Sequence, residues 1–252
     1  MRKSAIFLPA ASVLAGIIGF FIRKKELAEV FEESTGLAVR GAAVSTALIA
    51  LSVAVIVLSA IAAKLLTPGK KSAYAALPKT SAGKAAGAVS AVLFVFGAVF
   101  CIINGDVYRW RAVTLIFALF GLGSAAWYAV SAFSARGDKP DGMQKTLSVV
   151  PALFFCLWLI ATYRTYATEP SLLVYCYECL AAAAMAVACY CDAGFICASP
   201  RPRRTAAASL IAVFFGIVSL ADALPASAKL LMLGACLARV VSLAALFSGR
   251  EK

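Results

Sequence analysis

The sequence predicts an all-α fold, a polytopic transmembrane bundle of about eight spans, for which repeated helical hairpins are one of two plans. Three observations carry this: the composition, the even spacing of the apolar runs, and the side of the bilayer to which the basic residues fall. Of 252 residues, 63% are hydrophobic and 14% charged. Globular chains run near ~45–50% apolar and ~25% charged, so the excess has to face hydrocarbon. A span takes ~20 apolar residues to cross a ~30 Å core. Eight spans leave only short loops, so residues 1–252 are expected to form a single integral membrane domain.

The runs justify themselves in order, at 5–22, 42–63, 85–103, 113–135, 147–163, 171–191, 206–221 and 227–247. The first follows Met1-Arg2-Lys3 and stops at Arg23-Lys24-Lys25. It is long and lacks an obvious small-x-small cleavage site, so it reads as a retained span rather than a signal peptide. The polar stretch after it, with Glu26, Glu29, Glu32 and Glu33, has room for a short interfacial helix and a turn at Ser34-Thr35-Gly36. The second run leads into the most basic loop, with Lys64, Lys70, Lys71, Lys79 and Lys84 around the breakers Pro68-Gly69 and Pro78. Turns are expected at 104–111, between the third and fourth runs, and at Arg136-Gly137-Asp138-Lys139-Pro140 after the fourth. The fifth and sixth runs are separated by 164–170, and the sixth stops before Pro200-Arg201-Pro202-Arg203-Arg204. Residues 206–247 as one helix would be ~63 Å long, twice the membrane. Asp222, Pro225 and Lys229 mark the fold-back that yields the last two spans.

Threaded this way, fifteen lysines and arginines fall on one side and seven on the other, while Lys229 and Arg239 lie inside the eighth span. The excess of bases marks the cytoplasmic face, so both termini are expected there, and short loops without an organelle signal point to a bacterial plasma membrane. The first outer loop is the exception, because it carries Arg23, Lys24, Lys25 and Arg40. Tyr108, Trp110, Tyr163 and Tyr166 fall where an interfacial aromatic belt belongs. The net charge of +12 is spread over short loops, so anionic headgroups explain it and nucleic acid is not an expected partner.

Phe94, Phe154 and Phe214 recur every 60 residues, each in an odd-numbered span and each preceded by a base at Lys84, Lys145 or Arg204. A duplicated hairpin would produce this pattern, and so would any evenly threaded membrane chain.

Ionisable groups inside a bilayer are default functional candidates. Glu178 lies about 10 Å into the sixth span and Arg239 about 18 Å into the eighth, at ~1.5 Å per residue. If those helices are neighbours the two side chains can meet. A structural ion pair is the competing explanation, and neither group would be left unpaired in lipid. Tyr175, with Tyr177, places ring faces near Glu178, a lining suited to a cation. Glu178, Arg239 and Tyr175 are therefore the candidate ligand-binding residues. Asp192, Asp222 and Lys229 fall near span ends and read as boundary markers.

Eight cysteines include Cys176 and Cys179 on one helix face, but the chain has no histidine and no second C-x-x-C at metal-binding spacing. No metal, cofactor or catalytic residue is expected, and cysteines within spans argue against a disulfide scaffold. Nucleotide-loop, zincin and nucleophile-elbow motifs are all missing.

Three functions remain. The first is a small-solute carrier or permease with an intramembrane polar site. The second is a non-enzymatic scaffold or subunit docking another membrane protein through the small-residue faces Ala181–Ala184 and Ala235–Ala238. The third is an intramembrane lipid-modifying enzyme, for which Asp138 and Asp141 are the nearest acid pair. The bilayer itself is the one partner all three require.

Overall fold

In hydrocarbon the backbone has no water to bond, so each apolar run satisfies its own N–H and C=O groups as a helix. The structure, a computed structural model, describes residues 3–31, 37–39, 41–66, 81–105, 111–133, 141–167, 171–197 and 199–248. Among them are eight α-helices: α1 (Lys3–Glu29), α2 (Ala43–Leu66), α3 (Ser81–Asn104), α4 (Arg111–Phe133), α5 (Gly142–Thr165), α6 (Cys176–Ile196), α7 (Pro202–Ser219) and α8 (Ala226–Ser248). A single 3-10 turn, Leu172–Val174, precedes α6. Seven helices are long and apolar enough to cross a membrane, and the chain is a multi-pass helical membrane protein. Large apolar side chains such as Phe7, Leu65, Ile103, Leu119 and Phe133 stand exposed on the outside of the bundle, where lipid would cover them.

The helix outside that set is α7. It has only 18 residues and opens on Pro202, Arg203 and Arg204, which lowers its hydropathy. Twelve of its residues are buried, because α1, α2, α6 and α8 all pack on it. A helix sheathed by protein faces little lipid and needs less apolar surface than its neighbours. In the sequence the 206–221 run has the form of a span like the others; its position inside the bundle is a tertiary property.

The remaining contacts close a ring. Helices α3 to α8 pack in chain order, and α8 returns onto α3, while α1 and α2 lie together against α7. Glycines set the closest approaches. A Cβ on Gly97 of α3 would lie 2.6 Å from Leu231 Cγ and 3.0 Å from the Ser227 carbonyl oxygen; one on Gly234 of α8 would lie 2.9 Å from the Phe94 ring. The α3–α8 seam that closes the ring thus needs both glycines, a small-residue interface of the kind membrane helices use. On α1, Ser12 Oγ donates to the Leu210 carbonyl at 2.7 Å. A Cβ on Gly19 would come within 2.6 Å of Val218, so α1 also meets α7 through a small face.

Inside the ring, Phe94, Phe117, Phe154 and Trp158 form a continuous aromatic cluster with ring centroids 4.7–5.7 Å apart. The 60-residue phenylalanines share full burial, but only Phe94 and Phe154 touch. Phe214 packs beside Phe215 and under Gly19 instead. Equal spacing reproduces their depth and not their neighbours.

One end departs from the predicted threading. The first helix does not stop at Ile22 but runs through Arg23-Lys24-Lys25 to Glu29. Strong helix formers with Glu at i+3 and i+4 carry it onward, including an exposed Lys25–Glu29 pair at 3.8 Å. Beyond it, Phe31 and Ala38 form an antiparallel bridge where a short interfacial helix was expected. Residues 32–36, most of the basic loop at 67–80, Tyr108 and Trp110, and Asp138 lie outside the described residues.

Candidate functional site

Buried charge collects in two places, at opposite ends of the bundle. The first centres on Arg23, near the C-terminal end of α1, whose side chain is fully buried. Its Nε donates to Asp222 Oδ1 and its Nη1 to Glu26 Oε2, both at 2.7 Å. Its Nη2 donates to the carbonyl oxygens of Leu173 and Val174 at 2.8 and 3.0 Å. The guanidinium also lies over the Tyr177 ring, 4.8 Å from its centroid. One planar fork therefore joins α1, the α7–α8 turn and the 3-10 turn leading into α6.

Beside this hub, Glu178 in the first turn of α6 accepts from Trp158 Nε1 at 2.7 Å and Thr162 Oγ1 at 2.8 Å, both onto Oε1. Trp158 and Thr162 sit four residues apart on α5 and so share a face. Tyr175 is buried at the junction of the 3-10 turn and α6 and stacks on Tyr166, 5.3 Å between centroids and 9° apart. The cation beside these tyrosines is the chain's own Arg23, held over Tyr177 rather than Tyr175.

The second cluster lies toward the other end of α6 and α8. Arg239 Nη1 pairs with Asp192 Oδ2, which also accepts from Ser242 Oγ at 3.0 Å. Tyr128 of α4 and Cys189 of α6 lie within electrostatic reach of this pair. Glu178 and Arg239 consequently belong to different networks, one near each end of α6, and each is bonded to other groups.

Asp192 and Asp222, which read from the sequence as boundary markers, are the partners of the two arginines, Asp222 buried and Asp192 half-buried. Arg23, counted among the outer loop bases, is the hub of the larger cluster. A signal for it existed: the first outer loop was the one place where bases broke the charge asymmetry. Neither cluster is fully satisfied. Glu26 Oε1, Asp222 Oδ2, Asp192 Oδ1 and Arg239 Nε are buried without a hydrogen-bond partner. Each of these acids thus keeps a spare oxygen, although buried polar atoms are ordinarily bonded.

Asp222 lies in the turn between α7 and α8. Burial pushes its carboxyl from the ordinary 3.8 up to about 6, while Arg23 pulls the other way; Glu178 and Glu26 add to the rise. Because the folded value is the higher one, the stability that Asp222 contributes is complete below about 3.8 and lost as pH rises through about 6. Thermal denaturation in detergent across that window should show the wild type losing stability relative to Asp222→Asn as pH rises. Parallel curves would mean that Asp222 is not the titrating group.

The cysteines are all free, and no cluster of three or more His, Cys, Asp or Glu suited to a metal occurs among the described residues. Asp141 caps α5 by accepting from the Gln144 N–H at 2.7 Å. No family model matches the chain, nor does any curated protein or solved structure.

Proposed function

We propose that this protein is a small-solute carrier of the bacterial plasma membrane, with both termini cytoplasmic, whose two buried ion-pair clusters act as its outer and inner gates. The observation that carries this is their arrangement: Arg23–Asp222 ties α1 to the α7–α8 turn at one end and Arg239–Asp192 ties α8 to α6 at the other. A bundle selected only for rigidity is as well served by apolar contacts, since desolvation offsets much of a buried pair's attraction. A carrier has to open one end while the other stays shut. Ion pairs suit that task because water or a charged solute replaces their partners when helices part.

The spare oxygens on Asp222, Glu26 and Asp192 and the spare Nε of Arg239 are the groups such a solute would engage. Glu178 and Arg239 are the binding residues at the two ends, and Tyr175 braces the wall beside Glu178. Two rivals lose support. The faces expected to dock a partner are largely spent within the chain, since Ala181, Ala182, Ala235 and Ala238 are buried. Of the acid pair required by a lipid-modifying enzyme, Asp141 is occupied as a helix cap.

The test uses proteoliposomes and a panel of radiolabelled amino acids, small amines and sugars. Wild-type protein is expected to accumulate at least one of them, with Glu178→Gln and Arg239→Lys each lowering the initial rate by about tenfold, the equivalent of ~1.4 kcal/mol in the barrier. Gel filtration should show both variants folded. Unchanged uptake in both removes the binding residues. The Arg23–Asp222 gate is read separately from spin labels at Lys24 and Ala223 in a cysteine-substituted background, where an invariant distance with and without solute would sink the carrier assignment.

A further inference from the structure

A groove of about 750 Å³ runs along the outside of the bundle between α6 and α7, with Cys191 in its wall next to Asp192 of the second ion-pair cluster. Val187, Ala208 and Ile211 line its length, and one end finishes at Tyr190, Arg201 and Arg204. Val187 and Tyr190 are exposed, so in a membrane these walls meet acyl chains. Both arginines are exposed, and neither belongs to an ion pair among the described residues. They stand where α7 begins, at the level at which an apolar channel would give way to headgroups. The whole surface is therefore amphiphilic in one direction, with a hydrocarbon slot ending in two guanidinium groups.

We propose that this groove is a specific site for an anionic phospholipid, with an acyl chain lying along Val187, Ala208 and Ile211 and the phosphate held by Arg201 and Arg204. Charge complementarity selects the occupant. Guanidinium forks bond phosphate oxygens in pairs, and two of them at one mouth favour a headgroup carrying net negative charge. A zwitterionic lipid brings its own ammonium beside the phosphate and gains little from a second base. The volume lies within the range of sites that enclose a small ligand. The lipid site is independent of transport, and it stands or falls without the carrier assignment.

The experiment is a thermal-shift titration of the full-length protein in dodecylmaltoside micelles with dioleoylphosphatidylglycerol, dioleoylphosphatidylcholine or glycerol 3-phosphate. Phosphatidylglycerol is expected to stabilise the wild type half-maximally at roughly tenfold lower mole fraction than phosphatidylcholine, the scale set by two bases near an anionic surface. Arg201→Gln with Arg204→Gln should abolish that preference while leaving the weaker phosphatidylcholine response. Val187→Trp, at an exposed wall position that burdens no packed core, should weaken both lipids by filling the slot. Equal potency of the two lipids overturns the proposal, as does a preference that survives loss of both arginines. A full shift with glycerol 3-phosphate alone would mean a headgroup-only anion site and would also overturn it, as would an unaltered response in Val187→Trp.

Discussion

Replacing Arg23 with alanine is expected to cost about 3–5 kcal/mol, the typical penalty for removing one partner of a buried ion pair. The reason lies in what stays behind. Asp222 and Glu26 would remain buried with no cation, and the carbonyls of Leu173 and Val174 would lose their donors. At ~2–4 °C per kcal/mol for a chain of this size, the melting temperature in detergent should fall by roughly 6–20 °C. Arg23→Ala combined with Asp222→Ala should be more stable than Arg23→Ala alone, because the second change removes the stranded charge. An adjacent base supplies the control. Lys25 pairs with Glu29 at 3.8 Å with both side chains more than half exposed, so Lys25→Ala should change stability by less than ~1 kcal/mol. If Arg23→Ala and Lys25→Ala prove equally mild, Arg23 is not the hub described above.

Arg239→Ala should be comparably severe, again about 3–5 kcal/mol, since Asp192 would keep only the Ser242 hydroxyl. Coupling measurements sharpen the result. A double-mutant cycle between Arg239 and Asp192 should give a large interaction energy, because each loss strands the other group. The cycle between Arg239 and Glu178 should be additive within ~0.5 kcal/mol, because the two residues share no partner. Strong coupling between Glu178 and Arg239 would show that they face each other after all and would displace both clusters as drawn.

These outcomes bear on how far the residues could be read in advance. The helices were legible because lipid imposes a simple rule on the backbone, and every predicted run contains a helix. Ends were less legible. Arg23 looked like the first loop residue because hydropathy falls at that point, yet helix propensity and local Glu–Lys pairing carry α1 two turns further. Asp222 looked like a turn marker, and it does sit in a turn; nothing local indicates that α1 delivers a guanidinium to it. Glu178 and Arg239 were found from their depth alone, and depth does not reveal that they lie in separate networks. Small-residue runs such as Ala181-Ala182 could be recognised as packing faces, but not as faces used within the same chain.

By itself, the sequence determined that the chain is a multi-pass bundle of apolar helices, because composition and run length decide whether a segment can reside in hydrocarbon. It also named most of the groups too polar to be left there. Only the tertiary structure decided which of them meet. Arg23 and Asp222 are 199 residues apart in the chain, and their contact depends on α1 settling through Ser12 and Gly19 onto α7. Arg239 reaches Asp192 because α8 closes onto α3 through Gly97 and Gly234, which orients its charged face toward α6. Hydropathy is a property of each residue, whereas an ion pair requires two helix faces turned toward one another, and that rotation is set by packing.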